Sequence, residues 1–335
     1  MAAGYQLRFN KKEAQKNKLK LAKSNDNRIF VEKFNQKTIL NVLKQGGKMN
    51  CDLHAHTNHS DGSVTPKELV CEAKKRNLII ALTDHNTVSG LPEFLREAEM
   101  LGVTAVGGVE LSTVYEGKEF HLLGLFIPRE KYADVENLCV EYHGLKEKSN
   151  IDLIDKLRAL GYDINYEKIQ ERNIKGRVNR AHIAAELLDK GYVSSVSDAF
   201  AKLLDEKCGI YVPPKRLELC DAIRFLKAIG AVSVLAHPLK EVSPEYLETL
   251  LPCAVEAGLV AIETMHSSYN DDTIAVSKKI AQKFGLLESG GSDFHGDVKP
   301  GVMLGVGKGN LDISDSIYHA LKNEQAKLCF EARNK

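Results

Sequence analysis

The chain has 335 residues, of which 43% are apolar and 27% charged, with a net charge of +1 at pH 7. This composition excludes a disordered or fibrous chain, and the balanced charge by itself names no polyanionic partner. No apolar run is long enough to cross a membrane as a helix, the N-terminus lacks the apolar stretch of a secretory signal, and seven scattered cysteines without a Cys-x-x-Cys pair point to reduced thiols and a cytoplasmic protein.

Charge is unevenly placed. Residues 1–50 hold twelve Lys or Arg against three Asp or Glu, while the remainder holds 34 basic and 42 acidic residues. Residues 1–48 therefore read as a basic N-terminal extension, a solvated lead-in that also allows contact with RNA. From residue 50 the chain alternates short apolar runs with amphipathic stretches. The runs 51–56, 78–84, 104–111, 120–126, 231–237, 259–266 and 286–293 read as buried strands. Helical patterns cover 66–76, 91–101, 219–229, 246–257 and 273–284. Thr65, Pro66 and Glu68 form a helix start with a capping box, and Gly230, Gly258 and Gly285 suit helix ends. This rhythm predicts a parallel sheet with crossover helices. It breaks over 135–214, where helical patterns at 135–160, 179–190 and 196–204 and no strand predict a helical insertion. The expected domains are thus 49–134 with 215–335 as the barrel, and 135–214 as the insertion.

Nearly every predicted strand ends in a histidine or an acid. His54 and His56 close the first run two residues apart, so both rings face one way. Asp61 follows in a Ser-Asp-Gly turn. The later runs supply Asp84 and His85, Glu110, His121, His237, His266, then Asp293 and His295. In a β/α barrel the parallel strands all end at the face that carries the active site. So many nitrogen and oxygen donors converging there exceed the needs of one ion, and imidazole with carboxylate suits zinc, manganese and iron. Such a centre clamps a phosphate and generates a nucleophile from water. His143, His319 and the loop residue His59 read as structural or solvated.

The residues carrying this pattern are Asp52-Leu53-His54-Ala55-His56, Thr83-Asp84-His85-Asn86, Gly108-Val109-Glu110-Leu111-Ser112, Ala236-His237-Pro238 and Gly291-Ser292-Asp293-Phe294-His295. In combination and order they resemble the PHP (polymerase and histidinol phosphatase) family, across about residues 50–330. The resemblance implies a distorted (β/α)7 barrel of the α/β class with a helical insertion subdomain, and a di- or trinuclear centre of divalent ions, with manganese first and iron or zinc fitting too. It assigns His54, His56, Glu110 and Asp293 to one ion, Glu110, His121 and His237 to a second, and Asp61, His85 and His295 to a third. Asp84 would orient neighbours. Within the family, Arg180-Ala181-His182 and Tyr211-Val212-Pro213 resemble the branch of 3′,5′-nucleoside bisphosphate phosphatases. That branch implies Arg180 and His182 as phosphate-binding residues. Glu110, the ligand shared between two ions, and His266, which ends a strand beside Ser267 at the barrel mouth, read as catalytic groups. The implied substrate is a small phosphorylated molecule, a nucleotide first. Exonuclease, histidinol-phosphate phosphatase, protein-tyrosine phosphatase and a non-catalytic metal-binding module are the alternatives. The sequence departs from the family's pattern in the basic arm and in Lys207, which is displaced ahead of Tyr211.

Overall fold

A computed structural model describes residues 49–172 and 178–333, so the basic extension 1–48 lies outside the described residues. Seven strands form one sheet in chain order: β1 (Asn50–Asp52), β2 (Leu78–Leu82), β3 (Ala105–Tyr115), β4 (Lys118–Leu125), β5 (Val232–Ala236), β6 (Ala261–His266) and β7 (Leu287–Gly291). The sheet curls until its last strand meets its first. Leu53 N donates to Gly290 O (3.1 Å), Asp293 N to His54 O (2.9 Å) and His56 N to Phe294 O (2.8 Å), so the stretches beyond β1 and β7 zip together. The protein is a distorted seven-stranded α/β barrel.

Helices connect the strands as the patterns require. They are α1 (Pro66–Arg76), α2 (Leu91–Leu101), α7 (Leu219–Ala228), a short α8 (Pro238–Glu241), α9 (Pro244–Ala257), α10 (Asp271–Lys283) and the C-terminal α11 (Asp315–Arg333). The Thr65/Glu68 capping box at α1 is formed on both sides. Period-two alternation splits β2 between two apolar layers. Leu78, Ile80 and Leu82 pack with the helices, while Ile79 and Ala81 join Leu53, Val106, Leu123, Val234 and Ala261 in a second layer. Burial on both faces is why these strands read as continuous apolar runs.

One expectation needs correcting. β4 is not a parallel strand: it pairs antiparallel with both β3 and β5. The cause is a two-residue turn at Glu116 (φ 48°) and Gly117 (φ 77°), where positive φ at both positions matches the right-handed twist of a hairpin. β3 also runs to Tyr115, so Glu110 sits within the strand rather than at its end.

Between β4 and β5 the described residues are helical: α3 (Tyr132–Ala159), α4 (Tyr166–Arg172), α5 (Arg180–Asp189) and α6 (Val196–Ala199), which continues as a π turn over Phe200–Leu204. This region has its own apolar cluster, including Leu153, Leu157, Ile169, Ile183, Leu187, Leu204 and Tyr211. Among the described residues no helix is long and apolar enough to cross a membrane.

Candidate metal centre

The ends of the parallel strands place their polar side chains at one mouth, and the hairpin brings His121 there by the opposite route. β4 starts at the mouth where β3 has arrived, with Ser112 opposite His121 and Glu110 opposite Leu123. Glu110 and His121 therefore share a face, and Glu110 Oε1 lies 2.9 Å from His121 Nδ1. At this mouth three residues hold left-handed backbone without being glycine: Asn86 (φ 51°), His237 (φ 31°) and Asp293 (φ 56°). Such conformations are costly and cluster where a site must be shaped.

Three overlapping groups of donors result: His54, His56, Glu110 and Asp293; His56, Asp61, His85 and His295; and His85, Glu110 and His121. Within each group, ligand atoms lie within 4.8 Å of one another. The first is the set assigned to one ion from the motifs. The second gathers Asp61, His85 and His295 and adds His56. His237 joins through Glu110, with Nε2 3.2 Å from Oε1. Glu110 is the hub, since its Oε2 also lies 3.2 Å from His54 Nε2, 3.1 Å from His56 Nε2 and 3.2 Å from His85 Nδ1. The groups are deeply buried, except that Asp61 is about half exposed and His85 and His121 are partly open.

The electrostatics follow from this crowding. Burial alone would raise the Glu110 pKa, but the imidazoles of His54 and His85, with His121 and His237, hold it well below the usual carboxylate range. Burial opposes the charged form of His54 as well, yet Glu110 and Glu263 raise its pKa well above 6.5. His121 is likewise raised to about 10 by Glu110 and Glu119 against burial. Burial dominates at His85, lowering it to about 4.

The donor chemistry fits divalent cations. His54 Nε2 and His56 Nε2 face each other at 3.1 Å. His56 Nδ1, Glu110 Oε2, His121 Nδ1, His237 Nδ1, His266 Nε2 and His295 Nε2 are buried without a hydrogen-bond partner of good geometry. Buried polar atoms are rarely left so, and a cluster of convergent lone pairs is satisfied by cations. Nitrogen and oxygen donors without thiolate suit manganese, iron or zinc.

Supporting residues complete the site. Asp84 accepts from Thr57 N (2.7 Å), Thr57 Oγ1 (2.6 Å) and Ser60 Oγ (2.6 Å), bracing the loop that carries Asp61. His266 lies within the cluster: its Nδ1 is 2.7 Å from Ser268 Oγ and its Nε2 3.5 Å from Asp293 Oδ2. Lys299 Nζ reaches Asp293 Oδ2 at 2.7 Å. Glu263 was missed in the sequence. It is fully buried in β6, its Oε1 3.0 Å from His54 Nδ1 and its Oε2 accepting from His237 N at 2.7 Å.

A cavity of about 370 Å³ adjoins the cluster. Its lining includes Asn86, Ser112 and Glu119 from the barrel and Lys146, Arg180 and Tyr211 from the helical region. Glu119 touches the donor cluster through His121 Nε2 (3.7 Å), and Asn86 holds Ser112 through paired hydrogen bonds. Arg180 stacks on Tyr211, 4.2 Å from guanidinium carbon to ring centre, and donates from Nη1 to Leu204 O. His143, read as structural, also lines this cavity, whereas His182 is not among the lining residues. The His182 Nδ1 accepts from Asn179 N at 3.2 Å, completing a capping box at the start of α5.

Comparisons with known proteins agree with this centre. The PHP domain profile matches residues 52–205. A 5′-3′ exoribonuclease of Haemophilus influenzae is 31% identical over 268 residues, covering 79% of this chain and 96% of the relative. A phosphoribosyl 1,2-cyclic phosphate 1,2-diphosphodiesterase of Eggerthella lenta is 31% identical, over 73% of this chain and 94% of its own. A 3′,5′-nucleoside bisphosphate phosphatase of Chromobacterium violaceum is 30% identical, over 73% and 87%. Among solved structures, a Bifidobacterium adolescentis protein described as a candidate metal-dependent phosphoesterase superposes with a TM-score of 0.60 at 26% identity, over 83% of this chain and 97% of that one. With its donor cluster at the mouth of a seven-stranded barrel, the chain belongs to the PHP domain family of metal-dependent phosphoesterases.

Proposed function

We propose that the protein hydrolyses a phosphomonoester, and that its substrate is a nucleoside 3′,5′-bisphosphate, which loses the 3′-phosphate to leave the nucleoside 5′-monophosphate. The observation that carries this reading is the cavity: one wall holds Glu119, which lies against His121 of the donor cluster, and the other carries Arg180. A substrate with two phosphates spans such a space, one end at the cluster and the other on a guanidinium. A relative named for this activity supports it.

His54, His56, Asp61, His85, Glu110, His121, His237, Asp293 and His295 would hold two or three divalent ions, manganese first. When bound, these ions supply charge neutralisation at the phosphoryl oxygens and a water acidic enough to serve as nucleophile near neutral pH. Glu110, central to the groups, fixes their mutual spacing. His266, whose Nδ1 lies 2.7 Å from Ser268 Oγ, would supply the proton that the departing ribose oxygen needs. Arg180 binds the second phosphate, its plane held by Tyr211. His182 serves that contact indirectly by fixing the first turn of α5, the turn that carries Arg180.

The test is phosphate release from adenosine 3′,5′-bisphosphate by manganese-loaded protein, beside a His85→Ala control. Release yielding AMP, lost in the control, establishes the reading. Release only from histidinol phosphate, a phosphotyrosine peptide or RNA ends keeps the metal site and overturns the substrate. No release from any of them leaves a metal-binding module.

A second reading, a 5′-to-3′ exonuclease on short RNA, is favoured by the cations Lys146, Lys215 and Arg216, which line the same cavity as Arg180. A bisphosphate needs two phosphate contacts, whereas a polynucleotide end benefits from more. Shortening of a 5′-monophosphorylated oligoribonucleotide, faster than turnover of the bisphosphate, would decide for it.

A further inference from the structure

We propose that Cys220 and Cys253 are a redox-modification site, closing to a disulfide when the protein meets a peroxide. The two sulfurs lie 2.8 Å apart. Closing to the ~2.05 Å of a disulfide needs less than about 1 Å of movement. They come from different helices: Cys220 is the second residue of α7 and Cys253 lies in the last turn and a half of α9. The pairing is therefore a product of tertiary packing, made by Ala222 and Ile223 of one helix and Leu250 and Ala254 of the other within the same apolar layer. Both cysteines are half-buried, open to a small oxidant but sheltered from a protein-sized one. Neither is among the donors of the metal cluster.

Burial and the contact with Cys253 push the Cys220 thiol up to about 12. Either sulfur can meet the oxidant first, and the chemistry is the same with the two exchanged. The steps balance. The Cys253 sulfur gives two electrons to the O–O bond of hydrogen peroxide, forming the sulfenic acid and releasing water. The Cys220 sulfur then attacks that sulfenic sulfur, its proton leaving with the hydroxyl as a second water, and the S–S bond forms.

The position gives the modification a consequence. α7 begins just after residues 214–217, which line the cavity, and Leu217 O accepts from Val114 N of β3 at 2.9 Å. A covalent bond from Cys220 to α9 ties that wall of the cavity to the barrel's outer helices. The crosslink encloses the chain from 220 to 253, a loop long enough for its closure to stabilise the fold.

The experiment treats the full chain with hydrogen peroxide and reads intact mass, peptide map and melting temperature. The expected result is a loss of about 2 Da reversed by dithiothreitol, one crosslinked peptide joining Cys220 to Cys253, and a Tm higher by roughly 5 °C. In Cys220→Ser the mass loss disappears and dimedone labels Cys253. Absence of the 2 Da loss at peroxide levels that add oxygen to Cys71, a crosslink to any other cysteine, or a 2 Da loss persisting in Cys220→Ser would each overturn the proposal. Since the readout is mass rather than turnover, its failure is distinct from failure of the assigned substrate.

Discussion

His54 Nδ1 lies 3.0 Å from Glu263 Oε1, and both side chains are completely buried. A carboxylate at Nδ1 keeps a proton there and leaves the Nε2 lone pair turned toward Glu110 and His56. Glu263 also accepts from the backbone N–H of His237, so one buried acid orients two residues of the cluster. Glu263→Gln keeps the shape and loses the charge. The expected outcome is a roughly 10- to 100-fold loss of metal affinity with the fold retained. Titration calorimetry and metal analysis after dialysis check it, and wild-type occupancy in the variant would show that Glu263 does not orient the cluster.

Metal uptake should release protons. In the metal-stripped protein burial disfavours charged His121, but Glu110 and Glu119 raise it to about 10. A raised folded pKa stabilises the fold fully below the unfolded value of about 6.5, and that contribution is lost as pH rises toward 10. A cation competes for the same ring and displaces the proton. The metal-stripped protein should therefore lose melting temperature between pH 7 and 10 relative to the loaded protein, while apparent metal affinity rises over the same window. His85, lowered to about 4 by burial, adds nothing there. Calorimetry in buffers of different ionisation enthalpy measures the protons, and an uptake heat independent of buffer would contradict the argument.

The arm of the cavity can be tested through Arg180. It stacks on Tyr211 and is the first residue of α5. If it grips the second phosphate, Arg180→Ala removes charge-assisted hydrogen bonds of about 1.5–3 kcal/mol, which corresponds to roughly 10- to 100-fold in kcat/KM. The loss should fall mainly on KM, because the contact is remote from the reacting phosphorus. Arg180→Lys should restore little, since an ammonium supplies neither the planar stack nor the fork. A substrate lacking the second phosphate should be indifferent to both changes, and equal losses on the two substrates would place Arg180 elsewhere in the mechanism.

Much of this was legible in the sequence, for identifiable reasons. Strands buried on both faces give continuous apolar runs, and a functional barrel mouth puts histidines and acids where those runs stop, so His54, His56, His85, His237 and His295 announced themselves. The direction of β4 was less visible because its turn is Glu116-Gly117 rather than the Asn-Gly or Asp-Gly that usually marks a hairpin. Glu263 was hidden inside an apolar run, although an acid there cannot stay buried without a partner, which was the available signal. The Arg180-Ala181-His182 motif suggested phosphate binding through resemblance, and the part of His182 that no such motif shows is its Nδ1 in the capping box with Asn179. The approach of Cys220 to Cys253 depends on how two distant helices pack, and no local pattern encodes that.

The closure of the barrel rests on a glycine. A Cβ at Gly291 would fall 2.3 Å from His54 Cβ and 2.6 Å from His54 N, and the obstructing atoms include backbone that cannot rotate away. Gly291 is the last residue of β7, and just beyond it Asp293 N donates to His54 O. Gly291→Ala must therefore push apart the seam that holds His54 and Asp293 in one group of donors. The expected destabilisation is about 1–3 kcal/mol, toward the upper end because the clash is with main chain, accompanied by weaker metal binding. Gly144 is the control. It lies inside α3 with nothing within 4 Å of an added Cβ, so Gly144→Ala should be neutral or stabilise by up to about 1 kcal/mol. Urea unfolding of both variants, with and without manganese, separates the effects. The Gly291 variant should lose more stability with metal present than without, because the distortion falls on the ligands as well as on the packing. Equal losses in the two conditions would mean that the seam can yield without moving His54.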